Sequence, residues 1–166
     1  HAYTAKVARE TADVGYCASK KLFFHGVKLH AIATRRSGQL PQPQELWLRE
    51  ASCNDLRSFK EQELDVPLTT LIGDKAYCDR ALSAELTAQG IALRTPQKQL
   101  KGTELSEWEK YYNRCVNRLR QPIEGFFNWL QKKTQIHQAS AVRSDDALKI
   151  HCWGKLTVAY LILVFN

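Results

Sequence analysis

Leu68-Thr69-Thr70-Leu71-Ile72-Gly73-Asp74-Lys75-Ala76-Tyr77 decides the reading of the fold. Residues 68–73 form a short apolar, β-branched run of strand type, and the run ends directly on Asp74. Residues 80–89 are helical in pattern, with Gly90 where a C-cap glycine belongs. Residues 91–95 return as a strand, closed by Pro96. Strand, acid, helix, strand is an α/β signature. The tip of such a strand collects ligand and metal sites, because the strand fixes the carboxylate while its head stays solvated.

Working outward toward the N-terminus, Leu22–Thr34 alternates. Phe23, Val27, Leu29, Ala31 and Ala33 fall on one face, with Lys28 and His30 on the other, as in a half-buried strand. Arg36-Ser37-Gly38, then Pro41 and Pro43, break it. Residues 44–49 can return as the second arm of a hairpin. Asn54 is placed to cap a helix over 55–64, with Leu56, Phe59 and Leu64 inward. Toward the C-terminus, 97–102 reads as a loop and the chain turns helical from Leu105. A break is expected at Pro122, which fits best in a first helical turn. Ile123, Phe127 and Leu130 make an apolar stripe at helical spacing, flanked by a polar strip of Asn117, Arg120, Glu124, Asn128 and Gln131. Asp145–Phe165 reads as a final, mostly buried helix, although its Val/Ile/Phe-rich end could also be a strand.

The length suits one domain, residues 1–166, with 44% apolar residues and four Trp to build a core. The net charge is +7, and its placement says more than its size. Between Arg94 and Lys133 stand nine basic residues against four acids, so +5 lies in one quarter of the chain. Such a surplus suits a polyanion, because neutralising phosphates releases condensed counterions. Five Cys with no C-x-x-C pair encode neither a disulfide framework nor a zinc site, which points to a reducing cytosol and a cytoplasmic protein. No signal peptide opens the chain. The apolar run 156–165 falls short of the roughly 20 residues a bilayer crossing takes, so no membrane partner is expected.

Two carboxylates stand out, Asp74 at its strand tip and Glu124 at the edge of the apolar stripe. Each also has a plain explanation. Asp after Gly is a common turn pair, and a Glu four residues after an Arg is usually a surface ion pair. Trp108, Tyr111 and Tyr112 sit in the basic stretch and can stack on bases, although burial is the expectation for them. Trp129, Phe126 and Phe127 are expected in the core, as is His25.

The segment Gly15-Tyr16-Cys17-Ala18-Ser19-Lys20-Lys21, then Phe24-His25-Gly26-Val27-Lys28-Leu29-His30, resembles the early part of a DDE-type insertion-sequence transposase core. Ala51-Ser52-Cys53-Asn54-Asp55 resembles that family's next landmark. Gly73-Asp74-Lys75-Ala76-Tyr77 resembles the motif of its second catalytic Asp, and Arg120-x-x-x-Glu124 with Phe127-Asn128-Trp129-Leu130 the stretch holding its Glu. Ala139-Ser140-x-Val142-Arg143-Ser144 and Gly154-Lys155 also match in style. The motifs come in the family's order over nearly the whole chain. Two positions depart: the family's Tyr three residues before the Arg is Asn117 here, and its Lys seven after the Glu is Gln131, with Lys132 and Lys133 close enough to stand in. The strand carrying the family's first Asp is not found. Residues 1–11 hold only Glu10, and Asp13 lies in a polar stretch with no strand pattern.

The resemblance implies a ribonuclease-H-like mixed sheet flanked by helices, here lacking its central first strand. A gap is then expected between the strand at Leu22–Thr34 and that at 68–73. It implies two-metal phosphoryl transfer, in which three carboxylates hold two Mg²⁺ (or Mn²⁺) ions about 3.5–4 Å apart. Asp74 and Glu124 would be two of the three catalytic, metal-holding residues. Lys28, His30, Lys75, Arg120 and Lys132 or Lys133 would position phosphates. The implied partner is DNA, both element ends and target, with a homodimer as a further expectation. The parent enzyme would cleave and join DNA strands, while this chain, with two carboxylates, is expected to be inactive. The alternatives are a ribonuclease-H-like nuclease and a non-catalytic DNA-binding remnant.

Overall fold

A computed structural model describes residues 7–17, 20–99, 101–139 and 142–165. The chain is mixed α/β and divides into two compact units, His1–Asn54 with Gly125–Asn166, and Asp55–Glu124. Parts of the Ala18-Ser19 and Ser140 motifs lie outside the described residues.

The first unit holds an antiparallel sheet in the order β1 (Asp13–Cys17), β2 (Leu22–Thr34), β3 (Gln42–Glu50). β2 has the bounds its alternation predicts, and β3 returns against it with Leu29 opposite Leu48 and His30 opposite Trp47. The register slips between Ile32 and Ala33, a bulge placed next to Pro43. Proline has no N–H to give a ladder, which fits it to an irregular point of the pairing. The inward face differs from expectation. His30 and Ile32 are the buried residues of β2, while Leu29, Ala31 and Ala33 are only half-buried, so both faces of the strand are partly covered.

β1 corrects the sequence reading, because Asp13 begins a strand. Asp13 to Cys17 pair with Gly26 to Leu22. Gly15 is what lets this strand lie where it does. A Cβ there would come within 2.5 Å of the Ala51 carbonyl oxygen, closer than any side chain can sit. Lys28 donates its ammonium to the Cys53 carbonyl oxygen at 2.8 Å. The Gly15, Lys28 and Ala51–Cys53 motifs, far apart in sequence, thus meet in space, with Ala51 and Cys53 buried.

The last helix, α4, has its predicted bounds, Asp145–Phe165. Its N-terminal part joins a core of Ala8, Ala12, Leu148 and Cys152, lined by Val27, Leu48 and Val142. The Asp145 carboxylate accepts from the Thr11 backbone N–H at 2.7 Å, tying the segment before β1 to the helix start. The expectation of a mostly buried helix fails farther along. Ile150, Trp153, Val158, Leu161, Val164 and Phe165 are exposed. The 21-residue helix as a whole is long and apolar enough to cross a bilayer by length and composition alone, a test that core helices of soluble proteins also pass.

The second unit is a β-α-β unit. β4 (Thr70–Ile72) and β5 (Ala92–Arg94) pair in parallel, and α2 (Arg80–Ala88) connects them and packs on β5. Asp79 caps α2 by accepting from the Leu82 N–H at 2.8 Å, and Gly90 leaves the helix at φ +78°, where a glycine meets no steric penalty. Before β4 lies a short helix, α1 (Asp55–Lys60), which stops earlier than the predicted 55–64.

Helix α3 (Glu107–Thr134) runs from this unit into the first. The break expected at Pro122 is absent, and the proline sits inside the helix. The start is fixed by a capping box. Ser106 donates its hydroxyl to Glu109 at 2.7 Å, Glu109 accepts the Ser106 N–H at 2.7 Å, and the Glu109 N–H reaches back to the Ser106 hydroxyl at 3.2 Å.

Candidate active site

Asp74 and Glu124 belong to the same unit. Asp74 follows β4 with Gly73 between them and opens a single 3₁₀ turn, Lys75–Tyr77, whose Ala76 N–H it accepts at 2.6 Å. The strand itself ends on a backbone bond, with Gly73 N–H donating to the Arg94 carbonyl at 3.0 Å. The turn folds this tightly because Gly73 has no side chain. A Cβ would press on the Tyr77 ring at 3.1–3.3 Å. Behind the turn, Tyr77 meets Phe59 of α1 edge to face, centroids 5.6 Å apart. Burial, followed by the charges of Asp55 and Asp74, pushes the Tyr77 phenol up to about 12. One oxygen of Asp74 is therefore committed to the turn, and the carboxylate remains half-exposed beside an exposed Lys75.

Glu124 lies on α3 and pairs with Arg120, Oε1 to Nη2 at 2.6 Å. This is the i,i+4 pair its spacing allows. Glu124 is the more open partner, its side chain 54% exposed against 28% for Arg120, so the pair itself contributes little, about 0.3–0.5 kcal/mol. Arg120 Nε is buried and has no hydrogen-bond partner among the described residues. The neighbouring stripe is buried through Phe126 and Leu130, each 1% exposed, while Ile123 and Phe127 are half-buried. Trp129 packs beside Phe126.

The other expected DNA contacts fall into two groups. Lys75, Lys132 and Lys133 are exposed. Lys28 is anchored on the Cys53 carbonyl, and His30 is 8% exposed with its ring stacked on Trp47 at 5.3 Å, placements that serve packing. His25 is half-buried, not core. It lines a hollow of about 480 Å³ with Glu10, Asp13 and Glu50. The Asp13 carboxyl is held below its ordinary value by the Val14 N–H, then by Ser52 and His25. The larger miss concerns Trp108 and Tyr111, which are 71% and 53% exposed instead of buried. Their positions on α3 relative to Asn113 and Val116 were the signal available, since these face the opposite way.

Asp74 and Glu124 are hard oxygen donors, the type Mg²⁺ selects. Among the described residues, however, no group of three or more His, Cys, Asp or Glu is gathered to hold a metal ion. The described residues alone do not make a complete metal site.

A β-α-β unit with an acid just past its first strand and a second acid on a long helix belongs to a mixed α/β protein. A family model described as the transposase DDE domain matches residues 2–162, and the chain belongs to that family, whose function is DNA transposition. No curated protein and no solved structure matches the chain.

Proposed function

We propose that this chain is a ribonuclease-H-like transposase core that binds DNA and supplies two of the three carboxylates, Asp74 and Glu124, of a two-metal strand-cleavage and strand-transfer site. The family match across residues 2–162 carries the reading. The placement of the two acids supports it, one fixed by β4 and one by α3 within a single unit.

When bound, Mg²⁺ or Mn²⁺ would stabilise the attacking and leaving oxygens of the displacement. The chain's own part is to present oxygens. Asp74 keeps its aim through the Ala76 N–H, and Arg120 holds Glu124 along the helix until a cation competes for it. Lys75, Lys132 and Lys133 are placed in solvent to neutralise phosphates. With two of the three carboxylates of its own, the chain by itself would bind DNA without cutting it, and the second reading for the isolated chain is a non-catalytic DNA-binding remnant.

The test is a supercoiled-plasmid assay with Mg²⁺ or Mn²⁺, run beside duplex binding by anisotropy. Salt-sensitive binding without nicking is expected, with binding retained by Asp74→Asn and Glu124→Gln. Nicking abolished by either variant would mean a complete site and overturn the inactivity. Absence of DNA binding at any salt would remove the transposase-core reading of this chain.

A further inference from the structure

The N-terminal half of α3 carries a surface that the carboxylate chemistry leaves unused. Its inner side is fixed. Asn113 accepts the Gln97 N–H at 2.7 Å and donates to the Gln97 carbonyl at 3.2 Å, and Val116 is 3% exposed. The outer side therefore presents Trp108, Tyr111, Arg114 and Arg118, at steps of three, three and four residues. Trp108 and Tyr111 stack on each other, centroids 5.9 Å apart at 29°, and both remain exposed. The Arg114 guanidinium carbon lies 5.9 Å from the Tyr111 ring centroid. Arg114 and Arg118 are exposed and in no ion pair among the described residues. Of the acids of this turn, Glu107 pairs with Lys110 at 2.8 Å and its carboxyl is held down further by the charge of Arg114, while Glu109 is held in the Ser106 cap.

We propose that this strip binds unpaired nucleotides of single-stranded DNA, their bases stacking on Trp108 and Tyr111 and their phosphates meeting Arg114 and Arg118. The proposal deepens, and rests on, the reading of DNA as partner. Large flat rings left in water beside exposed guanidinium groups match the two faces of a nucleotide, one aromatic and one anionic. A duplex hides its base faces inside the stack, so the rings find a partner only where bases are unpaired. The ten residues from Trp108 to Arg118 span about 15 Å at 1.5 Å each.

The experiment compares three probes by anisotropy at one salt: an eight-residue oligothymidylate, an abasic oligomer of equal length and charge, and a duplex. Oligothymidylate should bind more tightly than the abasic oligomer. Trp108→Ala with Tyr111→Ala should weaken oligothymidylate on the order of tenfold and leave the abasic and duplex affinities as they were. Trp108→Phe with Tyr111→Phe should restore most of the loss, and Arg114→Ala with Arg118→Ala should weaken all three probes. If oligothymidylate and the abasic oligomer bind alike while the duplex still binds, the strip is no base platform, although DNA remains the partner. If no probe binds, the DNA reading and the strip fall together. If the alanine pair changes sedimentation of the chain instead of its oligothymidylate affinity, the strip is a protein contact and the proposal is overturned.

Discussion

Tyr77 shows how closely the residues around Asp74 depend on one another. Its ring is pinned between Phe59 and the space that Gly73 leaves free. Its phenol, pushed up to about 12 by burial and then by Asp55 and Asp74, keeps its proton longer in the folded state than in the unfolded one. The resulting stability is complete below about pH 10, the ordinary tyrosine value, and is lost as pH rises toward about 12, because the unfolded chain gives up the proton first. An alkaline absorbance titration at 295 nm should therefore show one tyrosine ionising late, and Tyr77→Phe should remove that step alone. A late step that survives Tyr77→Phe would place the raised group elsewhere. Gly73 has an ordinary backbone angle, so its requirement is room. In Gly73→Ala the new methyl would press on the Tyr77 ring, and a loss of about 1–3 kcal/mol by urea denaturation is expected. An unchanged midpoint would mean that the turn relaxes without strain. Asp74 is both a candidate ligand and the cap of its turn, which makes Asp74→Asn the informative variant, since an amide oxygen can still accept from Ala76.

Helix α3 joins two sequence signals of opposite sign. The Ser106-Glu107-Trp108-Glu109 box satisfies N–H groups that would otherwise be orphaned, and Ser106→Ala should cost about 1 kcal/mol. Pro122 has no N–H to offer the Arg118 carbonyl and sits well inside the helix. Pro122→Ala should stabilise the fold by up to about 3 kcal/mol, read as a higher denaturation midpoint. A lower midpoint would show that the proline's shape is itself needed for packing. The sequence reading expected a break there because it weighed one residue's local penalty. The remaining turns of a 28-residue helix outweigh it. β2 was legible to the residue and α4 in its bounds because their patterns are long, although the Val/Ile/Phe-rich end of α4 reads equally as strand until the helix is seen to continue through it. β1 was not, because Asp13-Val14-Gly15-Tyr16-Cys17 has no clean alternation, and its strand form comes from pairing with β2. The inward face of β2 was misread for a related reason. A strand covered on both sides lets a histidine be buried against Trp47 while alanines stay half-open. The placement of Asp74 just past a strand and of Glu124 on a helix was legible from the apolar run before one and the stripe beside the other. The exposure of Trp108 and Tyr111 was missed because ring size argues for burial, while their position opposite Asn113 and Val116 on α3 argues against it.

Two surfaces distinguish the molecule as a whole, one apolar and one cationic. On α4, Ile150 and Leu161 lie on nearly the same helical face and are 73% and 49% exposed. A face of this kind should bind a hydrophobic dye in the native state. Ile150→Lys with Leu161→Lys should lower the dye signal while helix content is unchanged, whereas an unaltered signal would show that the dye reads another surface. The cationic surface makes a quantitative claim. Much of the charge of +7 sits in exposed side chains, but an ion-paired group such as Lys110, 2.8 Å from Glu107, has less to offer a phosphate than an unpaired one. Lys132 and Lys133 are in no ion pair among the described residues and lie in the last turn of α3. If each meets one phosphate, each accounts for about 0.9 of the slope of log affinity against log salt on duplex DNA. Lys132→Ala with Lys133→Ala should then flatten that slope by roughly 1.8 without altering the preference for unpaired bases, which belongs to the aromatic strip. If the slope stays the same, duplex DNA does not approach the end of α3, and the phosphate contacts would have to be sought around Lys75 and the arginines of its N-terminal half.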